Sequence, residues 1–261
     1  SHPGARGDEQ PQHRVRISKP FYMGIYEVTQ AEFEQVMGTN PSSFTRTGLL
    51  KDAPRDLDVS RLPVDNVTWY DTIEFCRRLS DLPAESEAGR VYRLPTEAEW
   101  EKGARGGLTV PARPRMATLP ALEAVAEPDR QPNPLPQRRF PWGDDPAGPE
   151  RANYGDSGIG RTSSVGCFPA GDSPYGLAEM SGNVFEWVRD WYGPYTDELE
   201  NPSGPPEGSA KVTRGGSWYS DASSLSSGAR FKNRPAFSSF KLGFRCVFSE
   251  EDVAATSGPA D

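Results

Sequence analysis

Histidine and cysteine are the scarce residues of this 261-residue chain, and their scarcity excludes several chemistries. The two histidines, His2 and His13, both lie near the N-terminus. A catalytic metal held in the core by imidazoles is thereby ruled out. Three cysteines, Cys76, Cys167 and Cys246, are too few for a disulfide scaffold but leave room for one bridge. No apolar run reaches the ~18 residues a membrane-spanning helix needs. Lysine is also sparse beside arginine, and the net charge is −8. An acidic chain of this kind does not present the basic groove that nucleic acid requires.

Turn-forming residues are plentiful instead, with 26 glycines and 26 prolines. At this length the chain can hold one large domain or two small ones, and either buries a proper core. The composition suits short elements joined by long loops, not a helix bundle or a doubly wound sheet.

Residues 1–13 read as a disordered polar segment and 249–261 as a small polar tail. Alternation from Val15 to Ile25 predicts strands within 14–28. Three helices are announced by threonines. Thr29 with Glu32 forms a capping-box pattern with Val28 and Phe33 at staple positions, and Gly38 stops that helix. Thr68 and Asp71 open the second helix, whose buried face would be Trp69, Ile73, Cys76 and Leu79. Thr96 and Glu99 open the third, before Gly106 and Gly107. Residues 40–62 read as loop. Prolines, arginines and alanines dominate 108–139, which reads as an insertion loop with at most a brief helix over 117–126. A single domain would then span 14–248.

Two apolar anchors near the C-terminus, Arg214-Gly215-Gly216-Ser217-Trp218 and Leu242-Gly243-Phe244-Arg245-Cys246, read as strands. Residues 219–240 between them hold seven serines and Phe231, Phe237 and Phe240, without a period of 2 or 3.6. Such a stretch supplies contact area and adaptable hydrogen bonds, as a binding loop does, or it is an ordinary Ser-rich surface loop. Trp187, Trp191, Trp218 and Phe244 read as core. Arg214, Arg230 and Arg245 read as braces beneath the stretch.

Taken in order, Tyr26-Glu27-Val28-Thr29, Val67-Thr68-Trp69, the run from Arg93 to Glu101, Phe140-Pro141-Trp142-Gly143, the run from Gly182 to Trp187 and the two anchors resemble the formylglycine-generating-enzyme/sulfatase-modifying-factor family. The resemblance covers nearly the whole chain outside 108–139. It implies an α+β fold of the C-type lectin-like kind, with small twisted antiparallel sheets, two to three short helices and long irregular loops. The family's oxidases bind copper through two cysteines, at positions that match Ser220 and Leu225 here. Neither residue offers a soft thiolate, so the resemblance implies no copper and no oxidase chemistry.

A second branch with the same fold, the variable proteins of diversity-generating retroelements, uses the segment between the anchors as a diversified ligand-binding surface. By that resemblance Tyr219, Ser220, Asp221, Ser223, Ser224, Phe231, Asn233, Phe237, Ser239 and Phe240 would contact a macromolecular ligand, a protein or a cell surface. The alternatives are an oxidase-like enzyme with a displaced site and a structural module of a phage or surface assembly. Glu27, Glu179, Glu186 and the carbonyls of Gly182 and Val184 match a structural calcium site of the family, and hard oxygen ligands suit that cation. The other reading is that Glu27 and Glu186 cap or pair with arginines. The resemblance also pairs Cys76 with Cys246 in a bridge between the second helix and the last strand; two buried thiols would pack equally well.

Overall fold

In the computed structural model, residues 6–54, 57–114, 129–195 and 199–249 are described. The three threonine signals each start a helix, because a capping box satisfies the backbone donors that a first turn leaves orphaned. Helix α1 is Gln30–Met37; Thr29 accepts from the Glu32 amide, and the Glu32 carboxylate accepts from the Thr29 amide at 2.8 Å. Gly38 ends it in a left-handed conformation, φ 77°. Helix α2 is Trp69–Ser80, boxed in the same way by Thr68 and Asp71. Pro83–Glu87 adds a short α3, and Glu97–Arg105 forms α4 behind Thr96 and Glu99. Each cap of this type contributes about 1 kcal/mol.

The strands are short: β1 Tyr22–Met23, β2 Tyr92–Arg93, β3 Thr109–Pro111, β4 Arg130–Pro132, β5 Phe185–Trp191, β6 Lys211–Arg214, β7 Phe231–Asn233, β8 Leu242–Gly243 and β9 Val247–Phe248. One sheet has the order β1-β9-β2 and ties the two ends of the domain together. The larger sheet runs β7-β6-β5-β8, antiparallel except for β5 with β8. Strand β5 is central because Trp187 and Val188, on its opposite faces, each bury completely, one toward α2 and one toward α4.

The main core joins α1, α2 and the last strands. Phe75 stacks on Phe33 at 5.4 Å and meets Phe244 edge-on at 5.2 Å. Helix α2 therefore turns Thr72, Phe75 and Cys76 inward, while Trp69, Ile73 and Leu79 are only partly covered. A second cluster, Trp100, Met180, Val188 and Val212, lies under α4.

Three expectations change. Of residues 14–28, only Tyr22–Met23 forms a named strand. The N-terminal segment is not frayed from residue 6 onward: Tyr192 donates to the Asp8 carboxylate at 2.7 Å and Arg230 to the Asp8 carbonyl at 3.0 Å. The insertion has a built base as well. Strands β3 and β4 pair, Val110 is buried, and Asn133 donates to the Arg105 and Gly107 carbonyls at the end of α4. The brief helix expected over 117–126 lies outside the described residues.

Candidate functional site

The stretch after β6 leaves the sheet because Gly215 and Gly216 take φ of 91° and 77°, which other residues adopt only under strain. A Cβ on Gly216 would also meet Leu225 Cδ2 at 2.8 Å. Trp218 therefore sits on a turn and not in a strand. Its amide donates to the Asn183 carbonyl at 2.8 Å, and its indole Nε1 donates to the Phe240 carbonyl at 3.2 Å. That second bond closes the segment 219–240 at its neck.

Within the segment a single turn, Ala222–Leu225, is capped by Asp221. The Asp221 carboxylate accepts from Ser223 Oγ at 2.7 Å and from both Ser224 N and Ser224 Oγ at 3.0 Å. These donors hold its carboxyl below the usual range. Leu225 is fully buried among Phe140, Ala152 and Tyr154. Ser220 Oγ accepts from the Ser217 amide at 3.0 Å.

The rim beneath is rigid. Arg214, fully buried, donates to the carbonyls of Ser227, Gly228 and Ala229 and to Glu101 at 2.6 Å. Arg230 pairs with both Glu97 oxygens at 2.7 Å. These two arginines are braces, as expected. Arg245 is not; its five N–H groups serve Gly24, Ile25, Ala178 and Glu186 in another part of the fold.

Residues 40–62, expected to be mere loop, supply the second wall. Phe44, Leu50 and Leu62 form a cluster with Trp218, and the Phe44 ring meets both Trp218 and Phe240 edge-on. Asp65 sets Phe44 in place by accepting from the Ser43 amide at 2.8 Å and the Phe44 amide at 3.4 Å. Burial pushes the Asp65 carboxyl up to about 6. The Asn66 amide donates to the Ser239 carbonyl at 2.9 Å, and the Trp69 amide to Pro235 at 3.0 Å. No sequence pattern marks Phe44 or Asp65, since both act on partners far away in the chain.

The ten expected contact residues do not form one surface. Tyr219, Phe237 and Phe240 are exposed by 66%, 48% and 41%. Asp221 and Ser223 are exposed, and Ser220 and Ser239 half-buried. Ser224 is buried and spent on its own cap. Phe231 and Asn233 lie on β7 and share one side of it: the Phe231 ring packs on Phe185 at 4.9 Å beneath the Arg6 guanidinium, and Asn233 Nδ2 donates to Thr213 Oγ1. One neighbour was not anticipated. The Lys241 ammonium lies 4.6 Å from the Tyr219 ring centre and 5.6 Å from that of Phe240.

The calcium-matched residues do converge in the core. Glu27, Glu179 and Glu186 are all buried around one guanidinium, Arg245. Burial, then Glu186 and Glu179, push the Glu27 carboxyl well up, and burial pushes Glu179 up to about 7. Carboxyl oxygens suit a hard dication, but in this arrangement they already have hydrogen-bond partners. Both Glu186 oxygens accept from Arg245, at 2.7 and 2.8 Å, and Oε2 also accepts from Trp100 Nε1. Glu27 accepts from Asn183 Nδ2 at 2.6 Å and from the Val184 amide at 3.2 Å. Among the described residues no group of three His, Cys, Asp or Glu side chains could hold a metal ion. Glu186 pairs with Arg245 in this arrangement.

Cys76 and Cys246 face each other as free thiols, Sγ to Sγ 3.6 Å. Their mutual hydrogen bond and then burial push the Cys246 thiol well above its ordinary range. They are adjacent, Cys76 buried and Cys246 partly exposed. No helix among the described residues is long and apolar enough to cross a membrane.

Comparison with known proteins agrees with this anatomy. The formylglycine-generating enzyme of Bos taurus is 30% identical over 295 residues, covering 92% of this chain and 68% of the enzyme. The solved structure of Treponema denticola variable protein 1 is 27% identical with a TM-score of 0.61, covering 88% of this chain and 84% of that one. PvdO from Pseudomonas aeruginosa is 25% identical with a TM-score of 0.66, covering 94% and 87%. The fold is accordingly α+β, with the short helices and small curled sheets of the formylglycine-generating-enzyme and C-type lectin-like kind. Residues 2–250 match the sulfatase-modifying factor enzyme 1-like domain, and the chain belongs to that family.

Proposed function

We propose that this chain is a non-catalytic binding protein that holds a macromolecular ligand on the surface around Tyr219, Phe237 and Phe240. One observation carries the reading. Three large aromatic side chains stand exposed on a segment whose backbone is fixed from below by Arg214 and from the side by Phe44, Asp65 and Asn66. Exposed aromatics on a rigid frame lose little entropy on binding and are the anchors that dominate protein interfaces. The likeness to a variable protein supports the same assignment. Leu225 and Ser220, at the positions that the resemblance gives to copper cysteines, are a buried apolar residue and a hydroxyl within a turn. Neither can present a thiolate.

The test is capture from the protein's native surroundings with the wild type and with the triple variant Tyr219→Ser, Phe237→Ser, Phe240→Ser. A specific captured species that disappears with the triple variant supports the reading; one retained equally defeats it. A near-repeat of the coding sequence for 219–240, differing at adenines beside a reverse-transcriptase gene, would place the protein with the retroelement branch.

Identity to a formylglycine-generating enzyme favours oxidation of a cysteine-containing peptide as the second reading. Copper titration with turnover of such a peptide separates the two, and the expected result is neither stoichiometric copper nor turnover.

A further inference from the structure

We infer that the ligand meets this face with a carboxylate, an Asp or Glu side chain set beside an apolar residue of a protein partner; the inference rests on the binding role just proposed. The observation is the placement of Lys241. Its ammonium hangs over the rings of Tyr219 and Phe240. Among the described residues it donates to no acceptor and pairs with no carboxylate. The one acidic side chain of the segment, Asp221, spends an oxygen on Ser223 and Ser224.

The contrast with Lys211 shows what a structural lysine looks like in the same sheet. Lys211 is buried between the rings of Trp69 and Trp191, and its ammonium donates to the Arg189 carbonyl at 2.9 Å. Lys211 is fully accounted for by the fold, and Lys241 is not. Two rings partly strip water from the Lys241 ammonium without replacing its hydrogen bonds, which makes an incoming carboxylate more favourable than at an open surface.

Position adds to this. The Phe185 amide donates to the Lys241 carbonyl at 2.8 Å, so the residue is fixed to the end of the sheet. Residues 219–241 hold Arg230, Lys232, Arg234 and Lys241 against Asp221 alone, in a chain whose net charge is −8. Arg230 is consumed by Glu97, and Lys232 stands over Tyr192 on the other side of β7. Arg234 is exposed beside Phe237, whose amide donates to its carbonyl, and Lys241 is the cation that stands over Tyr219 and Phe240. On an acidic protein a single placed cation selects by position and not by general attraction.

The probe is a random linear peptide library selected against the intact chain, with Lys241→Met, Lys241→Glu and Lys241→Arg in parallel. Sequences with Asp or Glu beside an apolar residue are expected on the wild type and on Lys241→Arg, to vanish on Lys241→Met, and to give way to Lys or Arg on Lys241→Glu. A selected peptide resynthesised with amides for its carboxylates should bind about tenfold more weakly, the scale of one hydrogen bond to a charged group. Absence of carboxylate enrichment, or enrichment untouched by Lys241→Met, overturns the inference. So does oligodeoxythymidine binding at this face in preference to peptides. Peptides that need Tyr219 and Phe240 but no carboxylate defeat this inference alone. Peptides indifferent to those rings defeat the binding role itself.

Discussion

Replacing Phe244 with alanine and Tyr219 with serine should separate stability from display. Phe244 is fully buried, edge-on to the stacked rings of Phe33 and Phe75, and its carbonyl accepts from the Val28 amide at 2.9 Å. Truncating such a ring costs about 3–5 kcal/mol, lost transfer energy plus an unfilled cavity. Tyr219 is 66% exposed; its ring touches Trp218 edge-on and lies beneath the Lys241 ammonium. Little burial is lost there, so the cost should stay near ~0.5–1 kcal/mol. A domain of this size shifts its midpoint by roughly 2–4 °C per kcal/mol. The expected result is a drop of about 10 °C or more for Phe244→Ala and only a few degrees for Tyr219→Ser. Urea titration with unchanged m-values would confirm that the folded states remain comparable. Equal losses from the two variants would show that Tyr219 belongs to the core and would refute the division.

Acid and base should also act in a stated direction. Burial, then Glu97, push the Asp190 carboxyl up to about 7, against partial relief from the Glu97 amide and Arg189, with Lys211 beside it; burial pushes Asp65 up to about 6. A carboxyl raised in the folded state holds its proton more tightly there, so this contribution is full at low pH and is lost as pH rises through about 6 to 7. Melts between pH 5 and 8 should therefore fall, and Asp190→Asn should flatten the fall; an unchanged slope would contradict it. Calcium added at pH 8 should leave the melt unmoved because both Glu186 oxygens accept from Arg245 and the Glu27 oxygens accept from Asn183 and the Val184 amide. A clear calcium-dependent rise would show that those partners exchange for the ion. Replacing 115–128 by a short turn should be tolerated, because β3 and β4 pair at the base and the Ala112 amide donates to Asp129. Removing all of 108–139 should cost several degrees through loss of Val110 and Asn133, and equal melts would refute that difference.

The sequence by itself determined what depends on neighbours three or four residues apart. Thr29, Thr68 and Thr96 announce their helices because a capping box is made by a residue and its third successor. Burial of Trp187, Trp218 and Phe244 was equally legible, since large apolar side chains gain most by leaving water, although Trp191, expected with them, is only partly buried. Only the tertiary structure decided which charges meet. Glu186 could face a cation or an arginine, and its 59-residue separation from Arg245 carries no local signal. The same holds for the binding face. The family resemblance placed ten residues on one stretch, whereas pairing with β6 drew Phe231 and Asn233 into the sheet and the Asp221 cap drew Ser224 inside. Phe44 and Lys241 joined the exposed rings because the chain is folded back on itself there. A register set by hydrogen bonds across distant segments is fixed by packing of the whole core, and no local pattern encodes it.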